Sequence, residues 1–242
     1  TALVLSSFVA IILLGIILVV FFQSFESFSR YGLKFLVTSE WNPVKDEYGA
    51  FTAIYGTLVT SFLSLLLTIP LGVGTAIFIT EDFVPKVFRE IIGSFVELLA
   101  AIPSVVLGLW AIFVMEPFFR AFFVFLHNFF GWIPLFSTEP TGRNSLLAIL
   151  ILVVMLLPIV TSIARDTLNQ VPKKLRNAAY GIGASRWKTI FSVILPAALS
   201  GIMAGVLLAL GRAMGETMAV TMIIGNSNAF SWSLLSPGYT IS

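Results

Sequence analysis

The 242-residue sequence contains no cysteine and a single histidine, His127. These absences exclude disulfides, thiol nucleophiles and thiolate metal sites, and one imidazole cannot build a metal cluster alone. Charged residues make up only 11% of the chain, and a net charge of +2 is too small to indicate a nucleic-acid partner. The phosphate-loop pattern Gly-x4-Gly-Lys-Ser/Thr is also missing, so the chain cannot hydrolyse ATP by that route.

Apolar residues dominate instead. They make up 58% of the chain, and the mean hydropathy is +1.01. Because a bilayer span needs ~20 apolar residues, the length suits a bundle of five or six spans in a lipid bilayer. We predict an all-α, polytopic transmembrane helix bundle in which residues 1–242 form a single transmembrane domain. The five predicted spans lie near residues 2–22, 52–79, 91–114, 145–163 and 199–224.

The basic residues predict the orientation in the membrane. Six Lys and Arg residues lie between Arg165 and Lys188, more than in any other loop between the predicted spans. Because cytoplasmic loops carry an excess of Lys and Arg, we place this loop, about residues 165–190, in the cytoplasm. Alternation then puts the N-terminus in the cytoplasm and residues 23–49 outside. The aromatic-rich stretch after residue 116 falls in an outer loop at the bilayer interface, where we expect His127 to have no chemical role.

Two charges interrupt the fifth predicted span. On a continuous helix, Arg212 and Glu216 lie about 40° apart and share a face with Gly201, Gly205 and Ala219. An unpaired charge at mid-bilayer costs at least ~2.5 kcal/mol, so this face cannot point at lipid. Either the two charges form an ion pair while the glycines pack against a neighbouring helix, or they line an aqueous path.

Other polar residues in the spans are weaker candidates for such a path. Glu97 lies within the third predicted span, where a carboxylate is either functional or close enough to the helix end to reach the interface. Ser64 belongs to a stripe of hydroxyls at helical spacing on the second span. Hydroxyls of this kind either face water or bond to their own backbone and pack neighbouring helices. The stripe consists of Thr57, Ser61, Ser64 and Thr68.

The basic loop itself predicts a helix–turn–helix outside the membrane. Pro172 suits a first helical turn, "KKLRNAAYG" can form one short helix, and Gly181 and Gly183 permit a sharp turn before a second helix. Three apolar side chains of this loop, Tyr180, Ile182 and Trp187, would be exposed to water unless a partner covers them, which indicates an interface. Without further information, the cations could equally fix topology and bind anionic lipid heads.

The loop resembles the "EAA" signature of ABC-importer permeases. It departs from that signature at Asn177, where the family usually has Glu, and at Val193, where it usually has Ile. The resemblance implies that Asn177, with Ala178, Ala179 and Gly183, couples this chain to an ATPase subunit. The positions that match the signature at its spacing are Ala178, Ala179, Gly183, Leu195 and Pro196.

Further segments narrow the resemblance. "LALGRAMGETMAVTMIIGN" follows the loop directly, and "WNPVKDEYGAF" and "ELLAAIPSVVLGLWAIFV" occur upstream. Together they resemble the phosphate-specific (Pst) permeases of the C type. The resemblance implies a type I ABC-importer permease fold with a sixth helix beyond residue 242. It also implies a phosphate translocation path that includes Arg212, Glu216 and Thr217.

The same resemblance implies several partners. These are a homologous second permease chain of the A type, two ATPase subunits that hold ATP and Mg, and an extracytoplasmic phosphate-binding protein, all at a prokaryotic cytoplasmic (inner) membrane. A permease for a related oxyanion, sulfate or molybdate, is the alternative, although "GRAMGETMAV" favours phosphate. A membrane enzyme is a third class, but no acid–base pair, nucleophile triad or metal spacing occurs outside Arg212 and Glu216.

Overall fold

The computed structural model of the chain describes residues 2–81 and 83–241, without the side chains of residues 2–4 and 26. The regular structure of the described part is helical, apart from one two-stranded antiparallel hairpin, Trp41–Asn42 and Glu47–Tyr48. The α-helices are α1 (Ala2–Tyr31), α2 (Lys34–Val37), α3 (Phe51–Thr80), α4 (Lys86–Ala101), α5 (Ser104–Trp110), α6 (Glu116–Phe130), α7 (Ser145–Gln170), α8 (Lys173–Gly181), α9 (Arg186–Thr189), α10 (Leu195–Met214) and α11 (Met218–Ile223).

Five stretches of the described chain are helical, long and apolar enough to cross a membrane, which confirms the predicted fold class. Two of them contain a π-helical stretch: Ala111–Met115 joins α5 to α6, and Ile190–Ile194 joins α9 to α10. The five stretches are Leu5–Tyr31, Phe51–Thr80, Ser104–Phe130, Ser145–Gln170 and Arg186–Met214.

The predicted bounds of the third span, 91–114, are wrong. The chain is extended at Ile102 and Pro103, and the apolar run divides there into α4 and the span that begins at Ser104. Proline lacks an amide hydrogen, and the residue before it is pushed away from helical angles, so a helix usually ends at this point. The aromatic stretch that we assigned to an outer loop therefore forms α6, the second half of this span.

The fifth span also differs from its prediction of 199–224. It begins at Arg186, inside the basic loop, and ends at Met214. Gly215 follows as the C-cap, and the chain resumes a helix only at Met218. The apolar character of the sequence continues across this break, which is why composition alone did not reveal it.

Helix α7 lies at the centre of the bundle. Its buried side chains, such as Leu147, Ile151 and Leu156, pack in clusters that include residues of α3, α10 and α11. Helix α3 packs closely against α7. A Cβ atom added at Gly72 of α3 would lie 2.9 Å from a methyl carbon of Val160 in α7. Small residues at such a crossing are typical of helix packing in membranes, where van der Waals contact contributes to association.

Residues 225–241 fold back over the N-terminal ends of α3 and α7. Ser145 and Leu146, at the start of α7, donate their amide hydrogens to the carbonyls of Ser236 (3.1 Å) and Leu234 (2.8 Å). The side chain of Asn144 accepts from the Leu147 amide at 2.8 Å. The first amides of α7, which have no partner within their own helix, are thereby satisfied.

Candidate functional site

The break between α10 and α11 forms the candidate site. Arg212 lies in the last turn of α10, Glu216 lies in the break, and Thr217 is the N-cap residue of α11. Gly215 ends α10 with φ −94° and ψ 4°, and its amide bonds back to the Gly211 carbonyl at 3.1 Å. Irregular backbone at membrane depth is tolerated only where it is buried in protein or borders a water-filled cavity.

The two charges of the site face each other but differ in exposure. The Nη2 atom of Arg212 lies 3.7 Å from the Oε2 atom of Glu216, an ion-pair distance that is too long for a good hydrogen bond. The Glu216 side chain is 7% exposed, whereas that of Arg212 is 48% exposed. The other carboxylate oxygen of Glu216 accepts the Ala219 amide at 3.3 Å. The carboxylate is therefore held by the protein, while the guanidinium presents donors to the surface of the chain.

The predicted common face is wrong for Glu216 and Ala219, because the helix ends at Met214, whereas Gly201, Gly205 and Arg212 lie on α10 together. Gly205 packs against α7: a Cβ atom added there would lie 2.8 Å from Ile163 Cγ2. Gly201 approaches Thr167 of the same helix. Ala219 belongs to α11 and packs on α5, since a Cβ atom added at Gly108 would lie 3.1 Å from its Cα atom.

Thr217 follows Glu216 directly in the chain and is exposed at the start of α11. A half-exposed guanidinium suits an oxyanion, because the planar fork of Arg can donate two parallel hydrogen bonds to phosphate. The arrangement can attract and release an anion but holds no nucleophile paired with a base among the described residues.

Glu97 does not join this site. It lies in α4, and its exposed carboxylate is 3.2 Å from Nη1 of Arg165 in α7. With Lys86, Arg89 and other residues, this pair lines a cavity of about 400 Å³. Arg165 is two residues from Ile163, and Ile163 contacts Gly205 of α10. The seven residues from Gly205 to Arg212 cover roughly 10 Å along α10, and this stretch separates the Glu97–Arg165 pair from the site.

Ser64 and the other hydroxyls of its stripe are buried. Ser64 donates to the Ser61 carbonyl at 2.9 Å, Thr68 donates to the Ser64 carbonyl at 2.7 Å, and Thr57 donates to the Ala53 carbonyl at 2.9 Å. The Ser61 hydroxyl has no hydrogen-bond partner among the described residues. Burial and bonds within α3 favour the packing interpretation of the stripe over an aqueous path.

The basic loop contains the predicted short helix, α8, with the bounds of "KKLRNAAYG". Its end is a Schellman motif: the Ala184 amide bonds to the Ala179 carbonyl (3.0 Å), and the Gly183 amide bonds to the Tyr180 carbonyl (2.9 Å). Gly183 has φ +82°, a backbone conformation that residues other than glycine rarely adopt. The predicted use of glycine at this turn is confirmed for Gly183, whereas Gly181 lies within α8.

The four residues of the signature differ in exposure. Asn177, Ala178 and Gly183 are exposed, whereas Ala179 is buried, and α8 as a whole contacts the π-helical stretch of the fifth span. Ala179 therefore packs within this chain and is not available to a partner. Tyr180 and Ile182 are exposed, as predicted.

Trp187 is exposed too, but it also stacks on Phe83 and Phe191, with ring centroids 5.0 and 5.8 Å away. His127, in α6, contacts the Phe136 carbonyl through Nδ1 at 2.9 Å. Sequence reasoning missed the partner of Arg176, which we counted only as a loop cation. Arg176 pairs with Glu81, 95 residues away, and the sequence carries no local signal for this contact.

Comparison with known proteins decides the family. The family model described as "Binding-protein-dependent transport system inner membrane component" matches residues 68–239. The chain belongs to this family. A protein of Mesorhizobium japonicum named phosphate transport system permease protein PstC is 42% identical over 239 residues, which cover 97% of this chain and 73% of the relative. The protein of that name from Pasteurella multocida is 40% identical over 240 residues, which cover 97% of this chain and 75% of the relative.

The fold of this permease is also seen in a solved structure. The inward-facing MetNI methionine ABC transporter aligns with a TM-score of 0.54 and 20% identity, covering 67% of this chain and 68% of that chain. This likeness concerns the fold, which is that of an ABC-importer permease. The chain is thus a multi-pass inner-membrane permease subunit and not itself an enzyme. As the family description states, such permeases depend on a binding protein, and ABC importers of this family work with an ATPase.

Proposed function

We propose that this permease subunit belongs to an ATP-driven phosphate importer and that Arg212, Glu216 and Thr217 line its phosphate path. The names of relatives at 40% identity or more support phosphate as the substrate. One structural observation carries the assignment of the path: a half-exposed arginine and a buried glutamate meet where a membrane helix is interrupted. Discontinuous membrane helices are a recurrent feature of substrate sites in transporters.

Arg212 supplies the positive potential that a phosphate needs when it leaves water. Nearly half of its side chain is exposed. A charged side chain within a membrane span is rarely turned toward lipid, so the exposed Arg212 faces either water or a second subunit. Glu216, fixed by the Ala219 amide, orients the guanidinium and keeps the empty path from binding the anion too tightly to release it.

The competing interpretation is that Arg212 and Glu216 form a purely structural ion pair. A double variant in which both residues are neutral distinguishes this interpretation from a pair that lines the path. Arg212→Gln alone would leave a buried carboxylate unpaired, which by itself is destabilising. In Arg212→Gln/Glu216→Gln no charge is left, and the new amide oxygen can still accept the Ala219 amide. A structural pair predicts retained phosphate uptake in this variant, whereas a path-lining pair predicts its loss in an assembled complex.

We propose coupling to the ATPase through the exposed surface of α8 and its turn, with Asn177, Ala178 and Gly183 at the contact. The role of Ala179 is then to let α8 approach the fifth span closely. Asn177 is neutral at a position where the EAA signature usually has Glu. We therefore expect shape to contribute more than charge to the contact between α8 and the ATPase. ATP and Mg are expected on the ATPase.

We propose that the complete complex contains a homologous second permease chain of the A type, two ATPase subunits and a soluble phosphate-binding protein outside. The excess of Lys and Arg in the basic loop supports an orientation with this loop and the N-terminus in the cytoplasm. Glu97 and Ser64 stay outside the proposed path, because Glu97 pairs with Arg165 and Ser64 is buried within the bundle.

Uptake by membranes that contain the whole complex tests this function. Radiolabelled phosphate should accumulate in an ATP-dependent manner, and excess unlabelled sulfate or molybdate should not compete. Accumulation of sulfate in preference to phosphate would overturn the substrate assignment. Retention of phosphate uptake by the neutral double variant would overturn the path assignment alone.

A further inference from the structure

Arg176 lies on α8 and makes two contacts with other helices. Its Nη1 atom donates to Oε1 of Glu81, and its Nη2 atom donates to the carbonyl of Leu168 at 2.9 Å. The Arg176 side chain is 19% exposed and that of Glu81 is 11% exposed. One guanidinium therefore joins the cytoplasmic-loop helix to the ends of two membrane helices.

Electrostatics explains why both contacts are favourable. Glu81 is the C-cap residue of α3, where the partial negative charge of the helix end disfavours a carboxylate. Leu168 lies in the last turn of α7, and its carbonyl also accepts the amide of the C-cap residue Val171 at 3.3 Å. Arg176 offsets the charge at the first end and adds a second, charge-assisted hydrogen bond to a carbonyl at the second.

In the part of the chain that the structure describes, the rest of α8 is held by burial and by local bonds. Val171, which precedes the helix, and Ala179 within it are buried, and the Schellman motif closes its C-terminus. The neighbouring cations Lys173 and Lys174 are exposed. Among the described residues, Arg176 is the one charged side chain of α8 that forms a salt bridge with another helix end.

We propose that the Arg176–Glu81 pair positions the coupling helix and transmits its movement to α3 and α7. These two helices pack closely at Gly72 and Val160, and α7 in turn contacts α10 at Ile163 and Gly205. Helix α10 carries Arg212, so a shift of α8 reaches the helices that hold the proposed path. This inference rests on the proposed docking of an ATPase on α8.

A double-mutant cycle in the assembled, reconstituted complex tests the pair. The variants are Glu81→Gln, Arg176→Gln and their combination, and the readout is phosphate transported per ATP hydrolysed. We expect this ratio to fall at least fivefold in each single variant while ATP hydrolysis continues. Because both residues act through one contact, the double variant should lose no more than Arg176→Gln alone. Lys86→Gln/Glu90→Gln, an exposed ion pair of α4, is the matched control and should change the ratio less than twofold.

A distance measurement makes the test independent of the substrate. In this cysteine-free chain, spin labels at Lys174 on α8 and Leu71 on α3 report the separation of the two helices by pulsed EPR. Both positions are exposed. We expect a narrow distribution in the parent complex and a broader one in Glu81→Gln, which retains the Arg176 bond to Leu168. If the parent complex does not transport phosphate, the proposed substrate fails while the distances still test the pair.

Three results would overturn the proposal. The first is an unchanged transport ratio together with an unchanged distance distribution in assembled Glu81→Gln. The second is strictly additive losses in the cycle, which would mean that the two residues act separately. The third is failure of both single variants to assemble, which would assign the pair to assembly.

Discussion

Gly205 of α10 and Ile163 of α7 are in such close contact that a Cβ atom added at Gly205 would lie 2.8 Å from Ile163 Cγ2. We predict that Gly205→Ala lowers the thermal stability of the purified complex, since overpacking of a filled core costs ~1–3 kcal/mol. Gly211→Ala is the matched control on the same helix, because nothing described lies within 4 Å of a Cβ atom there. Equal melting temperatures for the two variants would show that α10 and α7 do not pack this tightly in the membrane.

The proposed path predicts a charge-specific loss of transport. Arg212→Gln should lower phosphate uptake at least tenfold, a difference of about 1.4 kcal/mol, because no other cation of the site replaces the guanidinium. Arg212→Lys should retain part of the uptake, since it keeps the charge but loses the planar fork. Lys45→Gln, an exposed cation in the turn of the β-hairpin, controls for overall charge. Normal uptake by assembled Arg212→Gln would refute the role of Arg212.

The turn after α8 predicts a difference between two glycines. At Gly183, φ is +82°, so Gly183→Ala should strain the turn by about 1–2 kcal/mol and reduce the transport obtained per ATP. Gly181→Ala should have little effect, because Gly181 is in the helix and a Cβ atom there meets nothing within 4 Å. Transport per ATP, measured for both variants side by side, checks this expectation. It is contradicted if the two variants behave alike.

The Glu97–Arg165 pair predicts a small effect. An exposed ion pair contributes ~0–1 kcal/mol, so Glu97→Gln should leave phosphate uptake within twofold of the parent. Phosphate uptake by Glu97→Gln and by Arg212→Gln is measured in the same assay. A loss of uptake in Glu97→Gln as large as that in Arg212→Gln would show that Glu97 belongs to the path.

Membrane orientation is testable with single cysteines, because the chain has none of its own. An impermeant thiol reagent applied to intact cells should label Ser39→Cys and not Ser185→Cys, and both positions are exposed. Inverted vesicles should give the opposite pattern, with the cysteine-free parent as the background. Labelling of Ser185→Cys alone in intact cells would reverse the predicted topology.

Hydropathy predicted the fold class and the bounds of the second span well, because lipid imposes the same requirement along a whole span. The first and fourth spans continue past their predicted ends, to Tyr31 and Gln170. Hydropathy failed where an apolar run contains a backbone break. Pro103 carried a readable signal, whereas the interruption after Met214 has no proline and continues into apolar residues.

The candidate site was predicted in part. Arg212 and Glu216 were singled out because charges are rare in such runs, and Thr217 because of the family resemblance, but the geometry of the two charges was predicted for a continuous helix that does not exist. The contact between Arg176 and Glu81 could not be predicted, since it depends on how α8 folds against two helix ends distant in sequence.

The hydroxyls of α3 have a consequence for how this protein is made. The residues of α7 that cover α3 begin 65 positions after α3 ends, since α3 ends at Thr80 and α7 begins at Ser145. At ~5–20 residues per second, α3 therefore spends roughly 3–13 s in the bilayer before α7 is synthesised. During that interval Thr57, Ser64 and Thr68 already donate to carbonyls of their own helix. A newly inserted α3 can thus remain among lipid tails without these three hydroxyls unpaired, and the bundle closes when α7 arrives.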